Sequence, residues 1–146
     1  MFIFSVGSLG TSCPPSHAVV PSDYFNLFHV ESALKDERAH ISPHYDAELR
    51  EILMDVVGQP KDKSVVYVQT RGPRFETAAE VRFLTTLGHI VGMTGAHEAT
   101  YCQERGLRYA SICKRGLSFS SFHIVTQICL VKVWLTTGQM DWQRFH

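Results

Sequence analysis

Ser64-Val65-Val66-Tyr67-Val68-Gln69-Thr70-Arg71-Gly72-Pro73-Arg74-Phe75-Glu76-Thr77 is the stretch on which the fold turns. A valine-rich run ends at Gln69 and passes into a loop where Gly72 and Pro73 stop regular structure. Thr77-x-x-Glu80 then has the capping-box pattern, which predicts a helix over 77–87. Its apolar face would be Ala78, Val81, Phe83, Leu84 and Leu87, with Gly88 ending it. Working outward, 90–93 reads as a short buried strand and 94–104 as a loop leading into a helix closed by Gly106. Residues 107–113 read as another strand. Strand, helix, strand, helix, strand across 64–113 predicts an α/β sheet with some parallel pairing.

Upstream, residues 2–6 read as a strand and 7–16 as a loop, because Pro14-Pro15 continues neither helix nor central strand. Residues 17–20 are a β-branched run stopped by Pro21, 24–30 are aromatic and apolar, and 31–40 read as a charged surface loop. Leu49, Ile52, Leu53 and Val56 or Val57 recur at helical spacing behind Asp46 and Glu48, with Gly58 as the stop. Residues 124–135 fit either a strand or a short buried helix.

The 146 residues make one domain, 45% hydrophobic and 19% charged, with fourteen basic and fourteen acidic side chains. A neutral chain carries no electrostatic footprint for nucleic acid or an anionic membrane. No apolar run approaches the ~20 residues of a membrane helix, and no secretory signal stands at the start. Cys13, Cys102, Cys113 and Cys129 form no C-x-x-C pair, so a reducing compartment, the cytoplasm, is expected. The histidines besides His40 show no metal-ligand spacing, and no metal is expected. Residues 114–146 hold one acid, Asp141, against Lys114, Arg115, Lys132 and Arg144, unlike the acid-rich 1–113.

Ligand sites in open α/β sheets lie at carboxyl ends of strands. Three predicted ends are unusual: Ser5-Val6-Gly7-Ser8-Leu9, the 69–77 stretch, and Gly92-Met93-Thr94-Gly95. Together they offer close backbone approach, an aromatic face, a carboxylate, a hydroxyl and cations, a mixture suited to a small polar ligand with a flat ring. Structural readings stand beside this. Phe75 would serve as a hydrophobic staple, Glu76 as a first-turn carboxylate, Met93 as core filler, Arg74 as an ion-pair partner and His97-Glu98 as a helix cap.

The stretch Gly72-Pro73-Arg74-Phe75-Glu76-Thr77-Ala78-Ala79-Glu80, with Leu87-Gly88, Val91-Gly92-Met93-Thr94, Glu98-Ala99 and Gly106-Leu107-Arg108-Tyr109-Ala110-Ser111-Ile112, resembles the purine nucleoside phosphorylase and methylthioadenosine phosphorylase family. Val6-Gly7-Ser8-Leu9, Val19-Val20-Pro21-Ser22-Asp23, His40 and Tyr45-Asp46-x-x-Leu49-Arg50 fit in the right order, so the resemblance covers about 3–113. It implies a partial nucleoside phosphorylase-type fold, a mixed twisted sheet flanked by helices. It also implies phosphorolysis of a purine or methylthio-purine nucleoside, with inorganic phosphate as co-substrate and no other cofactor. Matched by position, Phe75 would stack on the base and Glu76 would bond its N1 edge, as in members preferring 6-oxopurines. Met93 would lie under the ribose, and Thr94 would donate to phosphate. Ser5, Val6 and Gly7 would line the phosphate and base pocket with backbone groups. His40 would reach the sugar's 5′ end in a neighbouring subunit of a homotrimer. Thr94 and Glu76 would be the catalytic pair.

The family pattern has two parts without a match here: a Gly-rich phosphate loop with an Arg-His pair before residue 1, and a polar partner for purine N7 after Cys113. A nucleoside phosphorylase-like domain over 1–113 and a divergent tail over 114–146 are therefore expected. Each missing electrostatic donor would cost ~10²–10³ in rate, so weak or absent activity is expected. The competing expectations are a non-catalytic subunit that binds purine or a paralogue, and a nucleosidase that uses water.

Overall fold

The computed structural model describes residues 4–10, 17–26, 28, 32–118 and 131–135. In chain order these form β1 (Phe4–Ser8), β2 (Ala18–Val19), β3 (Asp23–Asn26), a 3-10 turn (Glu37–Ala39), α1 (Ala47–Val57), β4 (Val66–Gln69), α2 (Ala78–Leu84), β5 (Ile90–Gly92), α3 (Gly95–Glu104), β6 (Arg108–Ser118) and β7 (Val131–Leu135). The alternation expected from 64 to 113 is present. Residues 11–16 and 124–130, on which a loop and an undecided element were expected, lie outside the described residues; the C-terminal part of that element is strand β7.

The strands run β2-β6-β1-β5-β4-β3, with β7 paired to β6 off this path. β3, β4 and β5 are mutually parallel, and their carboxyl ends are flush: Asn26 is level with Gln69, and Gln69 with Gly92. β1 is parallel to β6 but antiparallel to β5, with Gly7 opposite Val91 and Ser8 opposite Ile90. This corrects the expectation that three carboxyl ends including Ser8-Leu9 converge. The Leu9 N–H donates to His89 O, before β5 begins, so Leu9 lies at the other edge of the sheet. The early half of β1 is what approaches Gly92. The chain also does not turn at Gly7, which stays in the ladder.

α1 starts where Asp46 caps it, the carboxylate accepting from Leu49 N–H at 2.9 Å, and ends at Gly58 with φ 68°. Leu49, Leu53 and Met54 are buried against Val20, Ala110 and Ile112, whereas Ile52 and Val56 stand 50% and 70% exposed. The expected apolar stripe of α1 is thus only half covered. α2 is shorter than expected and buries Leu84, with Val81 and Leu87 partly packed on Leu9, Val68 and Val91. Phe83 is 58% exposed, since it sits ~100° around the helix from Leu84.

Tyr67, Val6, Val19, Val65, Ile90, Ala96 and Cys113 fill the middle of the sheet beneath α3. Cys102 and Cys113 are buried, and burial pushes the Cys113 thiol up to about 12, so Cys113 acts as a small apolar group. Among the described residues no helix is long and apolar enough to cross a membrane.

Candidate functional site

Two side chains of β4 build the floor of the flush carboxyl edge. Gln69, 1% exposed, accepts the N–H groups of Ala96 at 2.7 Å and His97 at 3.2 Å through Oε1. Tyr67, two residues earlier on the same face, accepts the Gly95 N–H at 3.1 Å through its hydroxyl. Burial pushes the Tyr67 phenol well up, so it stays neutral and its oxygen is free to accept. A Cβ on Gly92 would fall 2.4 Å from the Tyr67 hydroxyl, and one on Gly95 3.0 Å from the ring. Only glycine lets α3 begin this close to β4.

The consequence is chemical. A helix N-terminus attracts anions because its first N–H groups lack partners. Those of α3 are already taken, by Tyr67, by Gln69 and, for Glu98 N–H, by Thr94 O at 3.1 Å. The cap comes from β4 rather than from His97-Glu98. What remains open is the side chain of Thr94, which occupies the N-cap position, is exposed and makes no capping bond.

The 70–77 loop covers the adjacent strand end. Thr70 N–H donates to Gly92 O at 2.8 Å, extending the β4–β5 ladder. The Thr70 hydroxyl donates to Glu76 Oε1 at 2.6 Å and anchors that carboxylate. Gly72 has φ 63°, and a Cβ there would stand 2.7 Å from Met93 Sδ, so the loop rests directly on Met93. Arg74 turns away, forking onto Glu80 at 2.9 and 2.8 Å. Glu80 also completes the capping box with Thr77, and Arg74 beside it holds its carboxyl down at about 2. The ion-pair reading of Arg74 is therefore the one found, while the neighbouring Arg71 is exposed.

Phe75 is 56% exposed and Met93 37% exposed. Phe75 is not a staple, and Met93, one residue beyond β5, is not core filler. Val6 buries its side chain in the core and Gly7 is buried in the ladder opposite Val91, so both face the edge with backbone only. Ser5 pairs with Lys114 through the backbone. His40 is exposed in a separate segment: Ala33 N–H bonds Glu104 and His44 N–H bonds Gln103, at the far end of α3. That is about 12 Å along the helix from the first turn. The structure thus joins Phe75, Glu76, Met93 and Thr94 along one edge and leaves His40 outside it.

Gln69, Tyr67 and Thr70 were not singled out by sequence reasoning. A polar residue closing a β-branched run just before a Gly-Pro loop was their only signal.

The pattern of the phosphorylase superfamily matches residues 1–114, which carry every element of this edge. The chain belongs to the phosphorylase superfamily. A relative from Archaeoglobus fulgidus, named a probable 6-oxopurine nucleoside phosphorylase, is 38% identical over 113 residues, 75% of this chain and 46% of the relative. One from Methanothermobacter thermautotrophicus, named a probable S-methyl-5'-thioinosine phosphorylase, is 41% identical over 114 residues, 75% of this chain and 40% of the relative. This phosphorylase-superfamily chain therefore spans less than half the length of those relatives. A crystal structure of purine nucleoside phosphorylase from Schistosoma mansoni has a similar fold, with a TM-score of 0.64 at 22% identity over 78% of this chain and 48% of that one. Among the described residues no group of three or more His, Cys, Asp or Glu could hold a metal ion.

Proposed function

We propose that this edge binds a purine nucleoside and supports its phosphorolysis, giving free base and ribose 1-phosphate or methylthioribose 1-phosphate in cytoplasmic purine salvage. Phosphate oxygen attacks the anomeric carbon as the bond to purine N9 breaks, and the electron pair leaves with the base through an oxocarbenium-like state. Phe75 lies against the purine face, Glu76 accepts from the N1 edge, Met93 supports the sugar and Thr94 donates to phosphate. Backbone groups of Ser5, Val6 and Gly7 close the remaining side. His40 serves the site of a neighbouring subunit in a homotrimer, which agrees with its position away from the edge of its own chain.

The observation that carries this reading is the contact of Gly72 on Met93. It seats the 70–77 loop on Met93, beyond the Thr70–Gly92 backbone bond, and brings exposed apolar surface beside an anchored carboxylate. A second reading, binding without efficient turnover, draws support from the first turn of α3. Its N–H groups are consumed internally, so phosphate meets a hydroxyl but not a ready-made amide nest.

The test follows base release from inosine and methylthioinosine with and without inorganic phosphate. Phosphate-dependent release at rates below those of full-length relatives is expected. Purine binding with no release would favour the second reading. Release by water alone would replace the proposal with a nucleosidase, and neither binding nor release would overturn it.

A further inference from the structure

We infer that Thr70 is a positioning residue that sets which purine edge Glu76 recognises; this rests on the reading of the site just given. Thr70 is 8% exposed and sits immediately under the loop that carries Glu76. Its hydroxyl has two oxygen neighbours, Glu76 Oε1 at 2.6 Å and Gly92 O at 3.5 Å. The first is a good hydrogen bond and the second is marginal. Gly92 O moreover already receives the Thr70 backbone N–H at 2.8 Å. The hydroxyl proton therefore points at Glu76.

This has a directional consequence. With Oε1 occupied by a donor, the carboxylate is held in one rotamer and offers Oε2 as an acceptor. Glu76 Oε2 has no hydrogen-bond partner among the described residues. A ligand edge carrying an N–H satisfies it, whereas a bare ring nitrogen presents lone pair to lone pair. A site built to bond such an N–H discriminates strongly against an analogue lacking it. Thr70 thus sharpens the choice between a purine with a protonated N1 and one without. It does so without touching the base.

The experiment is calorimetric binding of hypoxanthine and of adenine to the full chain, in the parent and in Thr70→Val, Thr70→Ser and Glu76→Gln. Valine keeps the shape and the backbone bond to Gly92 but removes the hydroxyl. The expected result is that Thr70→Val narrows the hypoxanthine-to-adenine affinity ratio about tenfold, as loss of one hydrogen bond to a charged group would. Thr70→Ser should restore the ratio, and Glu76→Gln should narrow it at least as much as Thr70→Val. A merely structural role would weaken both ligands alike and leave the ratio unchanged, and that result overturns the inference while the site reading stands. A parent chain that binds neither purine removes the site reading and this inference together.

Discussion

The Asp46–Arg108 clamp and the Phe75–Met93–Thr94 edge are both built on strand ends, yet they use their side chains in opposite ways. In the clamp the charges are answered within the chain. Asp46 caps α1, takes the Arg108 fork at 2.7 and 2.8 Å, and leaves the third guanidinium contact to Glu48 at 2.6 Å. Tyr45 and Tyr109 stack beside it at 5.9 Å, and Tyr24 meets Tyr45 edge-on at 5.6 Å. At the other region the backbone is satisfied just as fully, by Gln69, Tyr67 and Thr70, but the side chains above it are not. Phe75 and Met93 stay exposed and the Thr94 side chain is left out of capping. Charge and aromatic area consumed internally mark a structural device. The same resources held out on a rigid floor are what the proposed binding edge draws on.

The sharpest way to break this contrast is Gln69→Leu, because Gln69 belongs to the floor and not to the ligand surface. It leaves one buried and one partly buried N–H group unanswered, and urea unfolding should show a loss of about 3 kcal/mol. Purine affinity should fall with it, since Thr94 loses its support. Asp46→Ala touches only the clamp. Loss of the α1 cap should cost about 1 kcal/mol, with purine binding unchanged by calorimetry. Phe75→Ala is the mirror image: affinity for purine should drop about tenfold while the melting temperature holds, because the ring is largely exposed.

Acid titration gives the smallest effect. The Arg108 guanidinium holds the Asp46 carboxyl down at about 2, against 3.8 ordinarily. The fold thus favours the ionised form, so this contribution is complete above about pH 4 and is lost as pH falls towards 2. Urea midpoints between pH 2 and 5 should fall more steeply in the parent than in Asp46→Asn. Equal slopes would mean that the clamp adds nothing.

Much of this architecture was legible in the sequence, for local reasons. The β-branched run before Gly72-Pro73 and the box from Thr77 to Glu80 are short-range signals, and both elements formed where those signals stand. The direction of β1 was not legible. Nothing within Phe4–Ser8 states whether its neighbour runs with it or against it, and the antiparallel pairing to β5 moved Leu9 to the far edge. Periodicity likewise marked Ile52 and Phe83 as apolar-face positions without knowing what would cover them. At the edge itself, Phe75 and Glu76 were visible as residue types in a conspicuous loop. The supports beneath them were not, because a glutamine or threonine closing a strand reads the same whether it meets solvent or the first turn of a helix.

Methyl NMR on the methionines tests the central claim most directly. Met93 lies at the proposed site, and Met54, 2% exposed inside α1, serves as the internal control. On adding hypoxanthine, the Met93 methyl should move through the ring current of the bound purine and show contacts to it and to the Phe75 ring, while the Met54 methyl stays still. A purine that binds with the Met93 methyl unmoved, or with the Met54 methyl moving in its place, would contradict the account.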